Sequence, residues 1–305
     1  MVTAALRSRR LVALASLALS SACGWKTDGM QRLDDLGAPA YTPAGSGPTV
    51  PTGPVDIGTP DCKGLGGRWA VRLVQPGDIQ PLGFDVFRLT VVDLFLADID
   101  AGGTTLTLTD YCDQQSTMLN KYGQDAGIGQ TATPQALRDA LSASPLSIAL
   151  PGNGTVAASN IVWLWGLRNV VSPLTDPLPD ATNYAGDARV WDQDADGDPG
   201  VTLRILTIPG PGSRFMVRRA TWTFGSGQVS IDNAWITGAL TQHIEESVLG
   251  SRLDRTGQPD NQLSTAAPIT SRSDGSVYQL RCVGTTYTCP ALARDQAALF
   301  AAAHN

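Results

Sequence analysis

Glutamate and lysine are almost missing from this chain of 305 residues. Glu245 and Glu246 are the only glutamates among 28 acidic residues, and Lys26, Lys63 and Lys121 the only lysines among 22 basic ones. Exposed helix faces normally draw on these two residue types, whereas aspartate suits turns, caps and metal loops. Their scarcity, beside 32 Gly and 20 Pro, argues against a helical protein and for an all-β fold with many turns. Histidine is equally scarce: His243, and His304 at the tail, are the only two. No G-x-S-x-G or H-E-x-x-H motif occurs, so the common serine-hydrolase and zinc-protease constellations are excluded. Carboxylate pairs can hydrolyse glycosides, but among so many aspartates no pair stands out. Basic clusters are lacking past the first ten residues and the net charge is −6, which argues against nucleic acid as a partner.

What is present begins with an address. "MVTAALRSRRLVALASLALSSACG" has a basic start, an apolar run Leu11–Leu19 and small residues before Cys23. The run is too short for a permanent membrane helix, and no second segment of about 20 apolar residues follows. Ser20-Ser21-Ala22-Cys23, preceded by Leu19, resembles a bacterial lipobox, with Ser20 where the consensus has leucine. The resemblance implies thioether lipidation of Cys23 and removal of residues 1–22. A plain secretory signal cut near Ala22 is the alternative, and both export the protein. Gly24 after the cysteine implies, by the same resemblance, transfer to the outer membrane. Without residues 1–22 the chain keeps 19 basic against 28 acidic residues, a net charge of −9. Each buried CH₂ of an acyl anchor would contribute roughly 0.8 kcal/mol to membrane binding.

Residues 23–60 are expected to be a lipid-anchored tether. Pro39, Pro43, Pro48, Pro51, Pro54 and Pro60 punctuate it and no apolar period runs through it, so it can build no core. From residue 61 to 305 the pattern predicts one β-rich domain. Candidate strands are 68–74, 86–97, 104–112, 160–167, 188–191, 201–208, 214–224, 228–240, 243–250 and 276–283. Hairpins are expected at 100–103 and at Gly225-Ser226-Gly227. Two short helices are expected, 134–142 after Thr133-Pro134 and one started by Pro290. Strands that follow one another in sequence favour antiparallel meanders, closed as a barrel or packed as a β-sandwich.

One stretch carries metal chemistry. In "VWDQDADGDPGVTL", residues 190–203, Asp192, Asp194, Asp196 and Asp198 alternate around Gly197. Ca²⁺ takes six to eight oxygen ligands. Alternate aspartates in a tight loop can converge on it, and Gly197 permits the turn. The first half resembles a D-x-D-x-D-G loop of EF-hand type, with Asp198 at the place that offers a backbone carbonyl. Leu203 replaces the bidentate glutamate and a strand follows, so it is not an EF-hand. It looks like the isolated DxDxDG loops of extracellular proteins, with a further ligand such as Asp187. The bland reading is a solvated acidic turn, in which four close carboxylates would repel one another.

Cys23 being assigned to lipid, Cys62, Cys112, Cys282 and Cys289 remain. Four cysteines in an exported chain imply two disulfides with three possible connectivities. A hairpin over 283–288 would favour Cys282 with Cys289 and Cys62 with Cys112. Gly67-Arg68-Trp69 resembles the G-x-W that opens the first lipocalin strand, although a tryptophan in any β core explains it as well. Trp163, Trp165, Trp222 and Trp235 read better as core or barrel lining than as a sugar platform. The aspartate loop, "QHIEESVLG", "VYQLRCV" and the cysteine before the last helix together resemble envelope lipoproteins of myxobacterial type over about residues 190–300. That resemblance implies a location and a β domain but no activity. The expectation is an outer-membrane lipoprotein with a structural Ca²⁺ loop, acting as a binding or envelope-organising protein. It is not expected to be an enzyme; its partners are the membrane, through the lipid, and a small ligand or envelope protein. A lipocalin-like carrier and a secreted glycan hydrolase are the alternatives.

Overall fold

The strand-rich pattern folds into one antiparallel sheet. The computed structural model describes residues 55–80, 85–126, 131–150, 159–206, 211–230, 234–260, 263, 269–272 and 274–301. Cys23, the leader and most of the tether lie outside the described residues. Among the described residues there are eleven strands: β1 (Gly67–Ile79), β2 (Phe87–Ile99), β3 (Thr105–Leu119), β4 (Thr131–Ala132), β5 (Leu146–Ala149), β6 (Ser159–Trp165), β7 (Val201–Ile205), β8 (Gly212–Val229), β9 (Trp235–Leu253), β10 (Ile269–Ser271) and β11 (Val277–Cys282). The helices are α1 (Gln135–Ser142) and α2 (Cys289–Leu299). The strand order is β4-β7-β8-β9-β11-β1-β2-β3-β5, with β10 also on β1 and β6 also on β8.

The sheet folds over on itself around its main core but does not close into a barrel. β5 runs beside β6, yet no pairing joins them among the described residues. The arrangement is compatible with a β-sandwich. Strand alternation sends odd residues of β1 and β2 and even residues of β8 inward. Phe95 of β2 therefore meets Trp163 of β6 and Trp222 of β8, with ring centroids 5.5 and 6.0 Å apart. Tyr111 of β3 joins them, 5.2 Å from Trp163. Trp69 is fully buried in the same core and donates its indole N–H to the Leu65 carbonyl at 3.0 Å. The tryptophans of β1, β6 and β8 are thus core. Trp235 lies on the opposite face, edge-on to Phe300. A cavity of about 10 Å³ beside Phe95, Tyr111 and Trp163 is space for at most one water.

The opposite face of β1–β3 is covered by α2, where Ala70, Leu94, Leu96, Cys112, Leu292, Leu299 and Phe300 form a second core. This two-faced layout corrects the expected disulfide pairing. The bridges are Cys62–Cys282 and Cys112–Cys289, with Cα atoms 6.2 and 4.8 Å apart. Cys62 and Cys282 belong to the inner core, Cys112 and Cys289 to the face under α2. Cys282 ends β11 opposite Trp69, and 283–288 turns into α2 rather than forming a hairpin. A Cys282–Cys289 bond would have to cross the sheet.

The strand map needs correction at three further places. No hairpin forms at Gly225-Ser226-Gly227: β8 runs through it with a bulge to Val229, and β9 begins only at Trp235. The reason is Tyr278. Its ring lies over Gly227 and Gly238, which face each other across β8 and β9, and any Cβ there would collide with it. Its hydroxyl donates to the Gly225 carbonyl at 2.8 Å. The segments 228–240 and 243–250 belong not to two strands but to β8 and a single continuous β9. Residues 188–191 are not a strand and make only an isolated bridge, Leu167 to Val190.

Candidate metal loop and buried polar layer

β6 and β7 lie end to end along the same flank of β8. Trp165, the last residue of β6, pairs with Arg218, and Val201, the first of β7, pairs with Met216. Between them the chain makes an excursion over 166–200 whose only helical piece is a 3-10 turn, Tyr184–Gly186. Its two ends are pressed together. A Cβ on Gly166 would stand 2.6 Å from the Gly200 Cα, and Gly200 itself abuts the Met216 carbonyl.

The alternating aspartates sit at this junction. One carboxylate oxygen from each of Asp192, Asp194 and Asp196 lies within 4.8 Å of the other two. The turn is internally braced, with Gly197 at φ 90°. Asp192 accepts the N–H groups of Asp196 at 3.1 Å and Gly197 at 2.9 Å. Asp196 accepts the Asp198 N–H at 2.9 Å. Asp194 points inward and is only 6% exposed. Its Oδ2 accepts the Thr202 N–H at 3.0 Å, whereas its Oδ1 is buried without a hydrogen-bond partner. Trp191 Nε1 and Thr202 Oγ1, on the flanks of the same loop, are also buried and unpartnered. Burial raises the Asp194 pKa to about 6, helped by the charges of Asp196 and Asp192 and opposed by the Thr202 N–H. An unneutralised carboxylate is therefore expensive here, and three convergent hard oxygens suit a hard divalent cation.

Two residues expected near the ion are engaged elsewhere. The Asp198 carboxylate pairs with Arg252 of β9 at 2.7 Å, and that guanidinium lies 5.1 Å over the Phe215 ring. The fourth aspartate of the alternation thus ties the loop to the sheet. Asp187 receives Nη2 of Arg189 at 2.6 Å and its backbone N–H at 2.9 Å. These bonds hold its pKa below the ordinary value.

A second polar group was not marked out by sequence pattern. Asp93, in the middle of β2, faces the core and is 3% exposed. It accepts from Gln75 Nε2 at 2.6 Å, Gln114 Nε2 at 2.8 Å and the Tyr111 hydroxyl at 3.0 Å. Burial raises its pKa; the bond from Gln114, the charge of Arg218, and the bonds from Tyr111 and Gln75 oppose that rise. Arg218 stacks 4.0 Å over the Trp165 ring and pairs with Glu246. Its neighbour Arg219 pairs with Glu245. The only two glutamates of the chain therefore each neutralise an arginine of β8, across the β8–β9 ladder. Asp93, its three donors and Arg218 make a polar layer inside the fold next to the aromatic one, whereas Arg219 lies on the other face of β8. Comparison with known proteins yields no similarity: no family model, no curated protein and no solved structure matches this chain.

Proposed function

We propose that the chain is an exported, lipid-anchored protein of the outer membrane whose β-sandwich binds Ca²⁺ through Asp192, Asp194 and Asp196 and serves as a binding or envelope-organising module. The supporting observation is Asp194: its Oδ1 is buried and unpartnered, and one oxygen of its carboxylate lies within 4.8 Å of one from each of Asp192 and Asp196. A backbone carbonyl near Asp198 and waters would fill the remaining positions. The filled aromatic interior supports this reading over a carrier of apolar ligands. Lacking a bidentate glutamate, the site should be weak, roughly 10⁻⁴–10⁻³ M, in the range of extracellular modules. Saturation at about 100-fold over Kd adds roughly 2.7 kcal/mol of stability by linkage. The test is the melting temperature in Ca²⁺ against EDTA at fixed ionic strength. Wild type should melt higher in Ca²⁺, and Asp194→Asn with Asp196→Asn should abolish the difference. A wild type indifferent to Ca²⁺ would leave only an acidic turn.

A further inference from the structure

The aspartate loop occupies the crossing point of both limbs of the 166–200 excursion, and its bonds reach every element around it. The outgoing limb is held by Gly166 N–H donating to Gln193 Oε1 at 2.6 Å. The returning limb is held by Trp191 N–H to the Gly166 carbonyl at 3.2 Å and by Gln193 N–H to the Gly200 carbonyl at 2.9 Å. Asp194 grips β7 through Thr202, and Asp198 grips β9 through Arg252. Beyond this base the lobe 167–190 has few ties to the sheet. Val170, Leu178, Tyr184 and Val190 pack on Leu167, on Val217 of β8 and on Leu249 of β9. Arg219 donates to the carbonyls of Pro173 at 3.1 Å and Asp176 at 2.8 Å. No ladder joins 170–189 to a strand among the described residues. The lobe is thus a lid over an apolar patch in which Val217 and Leu249 are at most 3% exposed, hinged on a base that contains three mutually repelling carboxylates.

Resting on the reading of the loop as a Ca²⁺ site, we propose that the ion is a clamp: occupied, it keeps the 167–190 lobe closed over β8 and β9, and its loss releases the lobe and uncovers the apolar face of Val217 and Leu249. Segments with few buried contacts and no ladder open below the global unfolding free energy. A ligand bound only to the closed form suppresses that opening by the factor 1 + [L]/Kd.

Hydrogen exchange of the full chain, with Ca²⁺ and with EDTA, tests this. At about 100-fold over Kd, amides of 167–190 should exchange roughly 100-fold more slowly than in EDTA. Amides in the centre of β2, which open only with the whole fold and then also lose the ion, set the ceiling: the lobe should exchange faster than they do in both conditions and slow by a comparable factor. Gln193→Ala removes the tie to Gly166 without touching a carboxylate. It should bind Ca²⁺ with wild-type affinity by calorimetry yet lose most of the lobe's Ca²⁺-dependent protection. Ca²⁺ binding with equal exchange of the lobe in both conditions would overturn the clamp and leave the site standing. Absence of Ca²⁺ binding would overturn both. Full protection retained in Gln193→Ala would overturn the coupling through the base.

Discussion

Asp93→Leu should be among the most damaging single changes in the core, and Asp93→Asn should be mild. The carboxylate is the shared acceptor of Gln75, Gln114 and Tyr111. Leucine leaves three buried donors unpaired, each costing about 1–3 kcal/mol. Burying the leucine side chain returns about 1.5–3 kcal/mol. At mid-range the balance is a loss of about 4 kcal/mol, enough to unfold a marginal domain. Asparagine keeps one acceptor oxygen, and its new N–H₂ can meet Gln75 Oε1, which is buried and unpartnered in the wild type; the expected change is within about 1 kcal/mol. The sign with pH separates the two further. Burial raises the Asp93 pKa in the fold, so its contribution is fully present below the unfolded value near 4 and is lost as pH rises through the folded value. Asparagine should remove that slope. Urea unfolding followed by tryptophan fluorescence at pH 5 and 7.5 measures all three proteins. Equal stability of the leucine and asparagine variants would refute the reasoning, because the three donors would then have other partners.

Other outcomes follow from the same structure. Asp194, with a pKa of about 6 in the fold against about 3.9 unfolded, contributes stability that is fully present below about pH 4 and is lost as pH rises past 6. Asp194→Asn in EDTA should therefore raise the melting temperature at pH 7.5 but not at pH 4, and an unchanged pH slope would reject the burial argument. The bridges Cys62–Cys282 and Cys112–Cys289 close separations of 220 and 177 residues. Removing either pair should cost about 2–5 kcal/mol, and peptide mapping without reduction should recover these two pairs, any Cys282–Cys289 peptide being contrary. Cys23→Ala should move the protein from the membrane to the soluble fraction in detergent-free fractionation, and identical partitioning would reject the lipobox.

The legible parts of the fold were those written in local chemistry. β2 is a run of β-branched and aromatic residues, and α1 begins just after its Thr-Pro. The aspartate loop was legible because alternate carboxylates and a glycine are a local pattern. What escaped the sequence depends on partners far along the chain. Gly225 and Gly227 look like a turn because the ring that needs the empty space of Gly227, and whose hydroxyl donates to the Gly225 carbonyl, belongs to Tyr278, some fifty residues later. The cysteine pairing depends on which face of a sheet each residue occupies, and the β2–β3 bulge beside Cys112 hides that from a period-two reading. Asp93 looks like one more polar position in an alternating strand. Only the folding of β6 and β8 over β2 turns that position inward, and the donors that make it tolerable come from β1 and β3.

The position of the aspartate loop has an energetic reason. β6 and β7 lie on one flank of β8 and begin and end two residues apart in its register, so a single strand would serve the sheet equally well. The 166–200 excursion interrupts it, and closing a loop of that length costs about 3 kcal/mol plus a constant by (3/2)RT ln n. The small cluster of Leu167, Val217 and Leu249 and the two carbonyls bound by Arg219 must offset both this closure and the ordering of a segment without a ladder. On the proposed reading, a divalent ion at the base would supply about 2.7 kcal/mol at 100-fold over Kd, the same size as the closure term. Stability of the excursion would then depend on an ion at about the millimolar level, whereas the two disulfides and the aromatic core hold the sheet without one. That division would put the ion-dependent part of the molecule in the lobe and the permanent part in the sheet that carries it.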